Sequence, residues 1–207
     1  YTSDSMQGDS LEGESVEVPD YNETRYGFEL GGALIKDKLF FYGAYEKYEG
    51  VDFNNRGAIG SGAINEVQVT QGQLDEIRQI ATDVYGYTPG TSTPGTFDFE
   101  DEKYIAKLDW YATDTQRLAV TYNYNDSFNV TESDGDLNEF EFADHFYNRG
   151  AELETIIASV YSDWTPNFST ELRVARTDVD FLQAPRAGND FGAIRVDLDG
   201  ADVDAAG

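Results

Sequence analysis

The chain has 207 residues, with 40 Asp and Glu against 14 Lys and Arg, a formal net charge of −26. A surface so negative repels polyanions, which excludes nucleic acid and leaves cations, metal chelates and neutral sugars as better-matched partners. The absence of cysteine excludes disulfides and thiolate chemistry, and a single histidine, His145, cannot supply a His cluster for zinc or haem.

Disorder is disfavoured as well, because 14 Tyr, 13 Phe and 2 Trp far exceed what an acidic disordered tail carries, and these residues favour strands. No apolar run approaches the roughly 18 residues of a membrane helix, which leaves strands as the only membrane-crossing option.

Taken in chain order, period-2 alternation first appears from Arg25 to Leu34, with Tyr26, Phe28, Leu30 and Leu34 on one face and Arg25, Glu29 and small residues on the other. Ile35-Lys36-Asp37-Lys38 reads as a turn. Leu39 to Glu49 returns with aromatics on both faces: Phe40, Phe41, Tyr42, Tyr45 and Tyr48. A second pair runs from Lys103 to Ala112, through Thr113-Asp114-Thr115-Gln116, and back from Arg117 to Phe128. There Tyr104, Ala106, Leu108 and Trp110 oppose Lys107 and Asp109, while Leu118, Val120, Tyr122 and Tyr124 oppose Ala119, Thr121, Asn123 and Asn125. A third pair, Gly150 to Asp163 and Phe168 to Phe181, is joined by Trp164-Thr165-Pro166-Asn167. The expectation is six strands in three hairpins, each strand about 10–14 residues, longer than the ~5–6 of soluble sheets and suited to the ~9–11 of a tilted bilayer crossing.

The connections alternate. Four-residue turns near 36, 114 and 166 contrast with long segments at 50–100 and 129–148, and residues 2–23 and 183–207 read as two more long loops. All five prolines fall in loops or turns. Residues 1–23, 50–100, 130–147 and 183–207 hold 25 of the 40 acidic residues and only Arg56, Arg78, Arg186 and Arg195 of the basic ones. In one long loop, Thr70 with Gln73 forms a capping-box pattern, Leu74, Ile77, Ile80 and Val84 recur at helical spacing, and Gly86 is a stop. A short amphipathic helix is expected over about 71–85, packed on the loop or over a barrel mouth.

Aromatics also segregate. Phe40, Phe41, Trp110, Tyr111, Trp164 and Phe168 cluster beside the short turns, and Tyr48, Tyr122, Tyr124, Phe128, Tyr147 and Phe181 lie near the long loops. Two such belts flank the apolar band of a spanning barrel, although Tyr and Trp are also common in sandwich cores. The fold class expected is therefore all-β: a segment of an antiparallel up-and-down transmembrane β-barrel with long extracellular loops, one carrying the helix.

Local motifs are weaker. Glu132, Asp134, Gly135, Asp136, Leu137, Asn138 and Glu141 resemble part of an EF-hand loop, but its first position would be Val130, which cannot ligate calcium. Weak divalent-ion binding and plain solvation both remain open there. His145, between Asp144 and Phe146, reads as a surface-loop histidine. Glu152 and Glu154 could pair as glycosidase carboxylates, but among 40 acidic residues chance pairs abound. The 57–62 glycines lack a P-loop lysine. Three Asn-x-Ser/Thr sequons, at Asn22, Asn129 and Asn167, carry no meaning in a bacterial source. No catalytic, cofactor-binding or metal-binding residue is assigned, no cofactor is expected, and no enzymatic activity is expected.

The run from Tyr26 to Glu46, YGFELGGALIKDKLFFYGAYE, resembles an early barrel hairpin of TonB-dependent receptors, closest to the subgroup similar to the Oar outer-membrane protein, where a GG-x-I-x-KDKLFFFG-x-YE pattern is frequent. Ala33 stands where that family often has proline. Lys107, Asp109, Trp110, Asp114, Arg117, Leu118, Tyr122 and Asn123 resemble a second family hairpin, and the segment ending Tyr85-Gly86-Tyr87 is similar too.

The resemblance covers roughly residues 20–182. It implies a 22-stranded barrel of the bacterial outer membrane, plugged by an N-terminal domain, that imports a scarce ligand (siderophore, oligosaccharide or peptide) using energy passed through TonB. Against that whole, residues 1–207 would be the early barrel wall alone, with plug and remaining strands absent and the natural chain extending beyond both ends. The implied partners are the TonB complex through the missing plug, the outer-membrane bilayer and a small extracellular ligand. Arg25, Glu29, Lys107, Asp109, Asn123, Glu171 and Arg173 would face the lumen, and the loops at 50–100 and 130–147 would gate or contact ligand. The alternative is a secreted acidic β-sandwich binding carbohydrate or calcium.

Overall fold

The computed structural model describes residues 1–3, 6, 10–11, 14–15, 21–54, 56–93, 95–133, 135–136, 138–190, 192–198 and 201–205. The chain is mostly antiparallel β. Its strands are β1 (Thr2–Ser3), β2 (Ser10–Leu11), β3 (Glu14–Ser15), β4 (Asn22–Ile35), β5 (Leu39–Asn54), β6 (Arg56–Ile59), β7 (Asn65–Thr70), β8 (Gly95–Thr113), β9 (Gln116–Thr131), β10 (Glu139–Glu141), β11 (Tyr147–Thr165), β12 (Phe168–Pro185), β13 (Ile194–Leu198) and β14 (Ala201–Ala205). One α-helix, α1 (Gln71–Tyr85), and a 3₁₀ turn (Ala143–His145) complete the described elements. The chain divides into two compact units, one built from residues 1–50, 100–128 and 150–181, the other from 51–99, 129–149 and 182–207.

The first unit is dominated by a seven-stranded sheet in the order β1-β4-β5-β8-β9-β11-β12. All three hairpins expected from the sequence form, and β1, which pairs Thr2 with Glu23, adds an edge strand. The sheet is open: β1 and β12 are its two edges. The turns fall where the sequence places them. Asp37 takes a left-handed conformation, φ 59°, and the Lys38 N–H donates to Ile35 O at 3.0 Å. Asp and Asn tolerate that region better than most residues. The second and third turns are each steadied by a threonine hydroxyl, with Thr115 N–H on Thr113 Oγ1 at 3.3 Å and Asn167 N–H on Thr165 Oγ1 at 3.4 Å. Tyr111 N–H to Lys38 O (2.7 Å) and Asp163 N–H to Thr115 O (2.8 Å) tie each turn to the next hairpin.

The strands are longer than expected, 14 to 19 residues in the three hairpins. Backbone ladders need no apolar side chains, so pairing continues past the point where alternation fades. Pro185 is the last residue of β12 rather than a loop residue. At Gly150 a side chain is excluded, since a Cβ there would sit 1.9 Å from Ser127 O of the adjacent strand.

The second unit contains what the sequence presents as long loops, and it has a core of its own. β6 and β7 pair in parallel across a connection in which Gly60 and Gly62 take φ of 77° and 79°. β10 pairs in parallel with β14, which pairs antiparallel with β13. Helix α1 occupies the expected span. Thr70 Oγ1 accepts Gln73 N–H at 3.3 Å, Gln73 Oε1 accepts Thr70 N–H at 2.9 Å, and Gly86 at φ 69° closes the C-terminus, with Tyr87 N–H on Ala81 O at 3.1 Å. The buried helical face is Leu74, Ile77 and Ala81, whereas Ile80 and Val84, expected on that face, are exposed. The buried stripe runs through Ala81 instead. Leu74 and Ile77 pack with Val67, Val69, Ala58, Phe140 and Phe142.

Candidate functional site

Two features of the molecule can do chemistry: the faces of the seven-stranded sheet and the interior of the second unit. In a paired antiparallel ladder, directly opposed residues share a face. The β8/β9 register sets Tyr104 opposite Tyr124, Ala106 opposite Tyr122, Leu108 opposite Val120 and Trp110 opposite Leu118. The β4/β5 register sets Phe28 opposite Tyr45 and Gly32 opposite Phe41. These residues form one apolar face, which Ile156, Leu172 and Val174 continue. It is exposed to a degree unusual for side chains of this kind, with Phe28 at 69 % and Leu172 at 64 %.

The opposite face carries the ion pairs. Arg25 holds Glu46 at 2.8 Å, Lys103 reaches the same carboxylate at 3.4 Å, and the Tyr42 hydroxyl donates to Glu29 at 2.7 Å. Further along, Asp109 takes Arg117 at 2.5 Å and Lys107 at 3.2 Å, and Arg117 lies 5.1 Å over the Tyr161 ring. Arg173, beside Tyr161, pairs with Glu171 at 2.8 Å. Lys107 and Asn123 flank Thr121 and Ile105 in the ladder register. Arg25, Glu29, Lys107, Asp109, Asn123, Glu171 and Arg173, predicted to share a face, do so.

Aromatic contacts line the apolar face toward the long-loop end. Tyr45 touches Phe28 and Tyr26 with ring centroids 5.6 and 6.3 Å apart, and Tyr104 stacks on Tyr124 at 4.7 Å. The same face also carries charged groups, some level with these rings and some beyond them. The Tyr122 hydroxyl donates to Glu154 at 2.6 Å, Lys47 bridges Glu49 and Glu100 at 3.1 and 3.2 Å, and Arg176 pairs with Asp178 at 2.9 Å. Glu154 is therefore held by a phenol. At the turn end of the face, Trp164 donates its indole N–H to Thr170 at 2.9 Å.

Inside the second unit, the segment expected to be a solvated loop turns inward. Phe140, Phe142 and Phe146 are among the largest fully buried side chains described. His145, expected at the surface, is buried: the 3₁₀ turn tucks it inward, its Nδ1 3.2 Å from Glu141 Oε1. Glu141 is itself buried and accepts the Ser133 N–H at 2.9 Å through its second oxygen. Glu132 pairs with Arg56 at 2.7 Å, and burial nonetheless pushes its carboxyl above the usual range, with the Glu141 charge adding to the effect and Arg56 opposing it. The Tyr87 phenol, raised chiefly by burial and then by its hydrogen bond, donates to Asp144 at 3.0 Å. Arg78 donates to the Gly90 carbonyl and sits 5.6 Å over the Phe142 ring, and Arg195 pairs with Glu139.

Of the EF-hand-like residues, Asp134 and Leu137 lie outside the described residues, while Glu132 and Glu141 are engaged by protein groups and Asp136 accepts its neighbour Asn138 N–H at 2.7 Å. Among the described residues no group of three or more His, Asp or Glu side chains converges as a metal site would require. The one signal that could have found the buried segment is the Phe140-Glu141-Phe142 pattern, which overlaps the short strand β10.

The same unit contains a cavity of about 530 Å³, lined by Asp52, Phe53, Asn54, Arg56, Asn65, Phe97, Val130, Thr131, Glu132 and Phe146. Phe97 and Phe146 meet edge to face at 5.1 Å, Arg186 caps Phe97 at 4.9 Å, and Asn54 Oδ1 accepts the Arg56 N–H at 3.0 Å. Comparison of the chain with family models, curated proteins and solved structures gives no match.

Proposed function

We propose that the chain is part of the barrel wall of a TonB-dependent receptor in the bacterial outer membrane, and that the apolar face meets lipid while the ion-paired face lines the lumen. One observation carries the reading: Phe28, Leu30, Leu108, Trp110, Ile156, Leu172 and Val174 stand exposed on one face of the long-stranded sheet, while the ion pairs of Arg25, Lys103, Lys107 and Arg117 gather on the other. Contiguous exposed apolar patches larger than a few hundred Å² mark partner or membrane surfaces.

The dimensions support it. From Glu102 to Ala112, β8 takes ten residue steps, about 33 Å along the strand, or about 25 Å along a membrane normal at a tilt of ~40°. That matches the height of an outward apolar band. Tyrosines toward its loop end and Trp110 and Trp164 toward its turn end support the reading, since aromatic girdles flank such a band. The family assignment rests on the Tyr26–Glu46 hairpin, whose KDKLFF turn folds as a tight hairpin. A β-sandwich needs a second sheet against the apolar face, and the only other sheet described in the first unit is the two-stranded β2–β3 pair.

The chain thus acts as a transport component, with the second unit contributing to ligand contact. Sequencing the coding region on both sides of these residues tests the receptor assignment. A plug domain upstream and further strands downstream are expected. Tight start and stop codons around a soluble, monomeric product would overturn it.

A further inference from the structure

The cavity in the second unit is within the ~300–1,000 Å³ range of small-ligand sites, and its surroundings narrow what it can hold. The unit carries 17 acidic and 5 basic residues, a net charge of −12 with His145 neutral. A field of that sign disfavours an anionic guest. Arg56 in the wall engages the Glu132 carboxylate at 2.7 Å, so neither presents a bare charge, and Asp52, exposed, is the remaining acidic group of the lining. The rise in the Glu132 carboxyl agrees with a wall that resists bare charge.

The rest of the lining combines phenyl rings with planar amides. Phe53 and Phe97 offer apolar surface for C–H groups, and Asn54 and Asn65 offer N–H donors beside carbonyl acceptors. A hydroxyl both donates and accepts, so vicinal hydroxyls on a ring with an apolar face satisfy such a wall as a purely apolar molecule cannot. We propose that this cavity is a binding site for a neutral saccharide. The inference rests on the reading of the chain as a receptor wall and names the ligand class of that receptor.

The test uses the full chain in detergent micelles and saturation-transfer NMR with a panel of neutral disaccharides: maltose, cellobiose, trehalose and diacetylchitobiose. A glucosamine dimer and a galacturonate dimer serve as cationic and anionic counterparts. At least one neutral sugar is expected to bind more tightly than both charged dimers. Asn65→Ala, at an exposed position, is expected to weaken it about fivefold, the loss of one neutral hydrogen bond. Phe53→Leu is expected to weaken it as well, with the amide exchange of α1 unchanged in both variants as proof of folding. No binding across the panel, tighter binding of a charged dimer, or binding indifferent to both variants would overturn the proposal. Sugar binding without lipid contact at Leu108 would overturn the receptor reading alone. Lipid contact without sugar binding would overturn the site alone.

Discussion

Replacing Phe142 by alanine tests whether the long loops are a folded unit. The ring is fully buried, meets Phe140 edge to face at 5.8 Å and 87°, and lies under the Arg78 guanidinium at 5.6 Å. A buried Phe→Ala change costs about 3–5 kcal/mol from lost transfer energy and the residual cavity. At about 1.4 kcal/mol per decade, amides whose exchange requires the unit to open should exchange roughly 100- to 3,000-fold faster. Hydrogen exchange read by mass spectrometry separates the regions. The α1 amides should lose protection by that factor, while those of residues 103–111 and 117–127 keep theirs, and Phe142→Leu, which leaves a smaller cavity, should cost less than Phe142→Ala. Unchanged α1 exchange in Phe142→Ala would refute the account of a common core joining β7, α1 and β10.

Thr70→Ala removes the hydroxyl from the α1 capping box and should cost about 1 kcal/mol, seen as faster exchange confined to the first helical turn and the unit it stabilises. Because the folded Glu132 carboxyl is raised, the folded state binds more protons than the unfolded one as pH climbs out of the ordinary carboxylate range, so stability falls with rising pH through that window and then levels. Denaturant midpoints of the second unit measured between pH 4 and 7 should show this decline, and Glu132→Gln should remove it. Gly150→Ala forces a Cβ onto Ser127 O, so the β9–β11 ladder should lose exchange protection around residues 127 and 150 while the β4–β5 hairpin keeps its own.

The hairpins were legible because alternation and turn chemistry are local. Lys36-Asp37-Lys38, Asp114-Thr115 and Pro166-Asn167 mark the turns without any knowledge of the rest of the chain. The helix was legible for the same reason, through Thr70, Gln73 and Gly86. What stayed hidden was non-local. The parallel pairing of β6 with β7 and of β10 with β14 joins short segments too brief for periodicity to reveal. The acidic composition of residues 129–149 also masked three phenylalanines and a histidine that fold inward. The helical stripe was misread at Ile80 and Val84, because spacing alone cannot tell which of two adjacent apolar rows meets the core and which remains outside.

The most direct measurement of the central claim is a nitroxide scan along β8. The chain has no native cysteine, so single cysteines at positions 103 to 111, labelled in turn in lipid vesicles, report one site each. Collision rates with oxygen, which partitions into lipid, should peak at Tyr104, Ala106, Leu108 and Trp110. Rates with a water-soluble nickel chelate should peak at Lys103, Ile105, Lys107 and Asp109. Even-numbered positions shielded from both reagents would mean that the apolar face is covered by protein, and the membrane-wall account would be wrong.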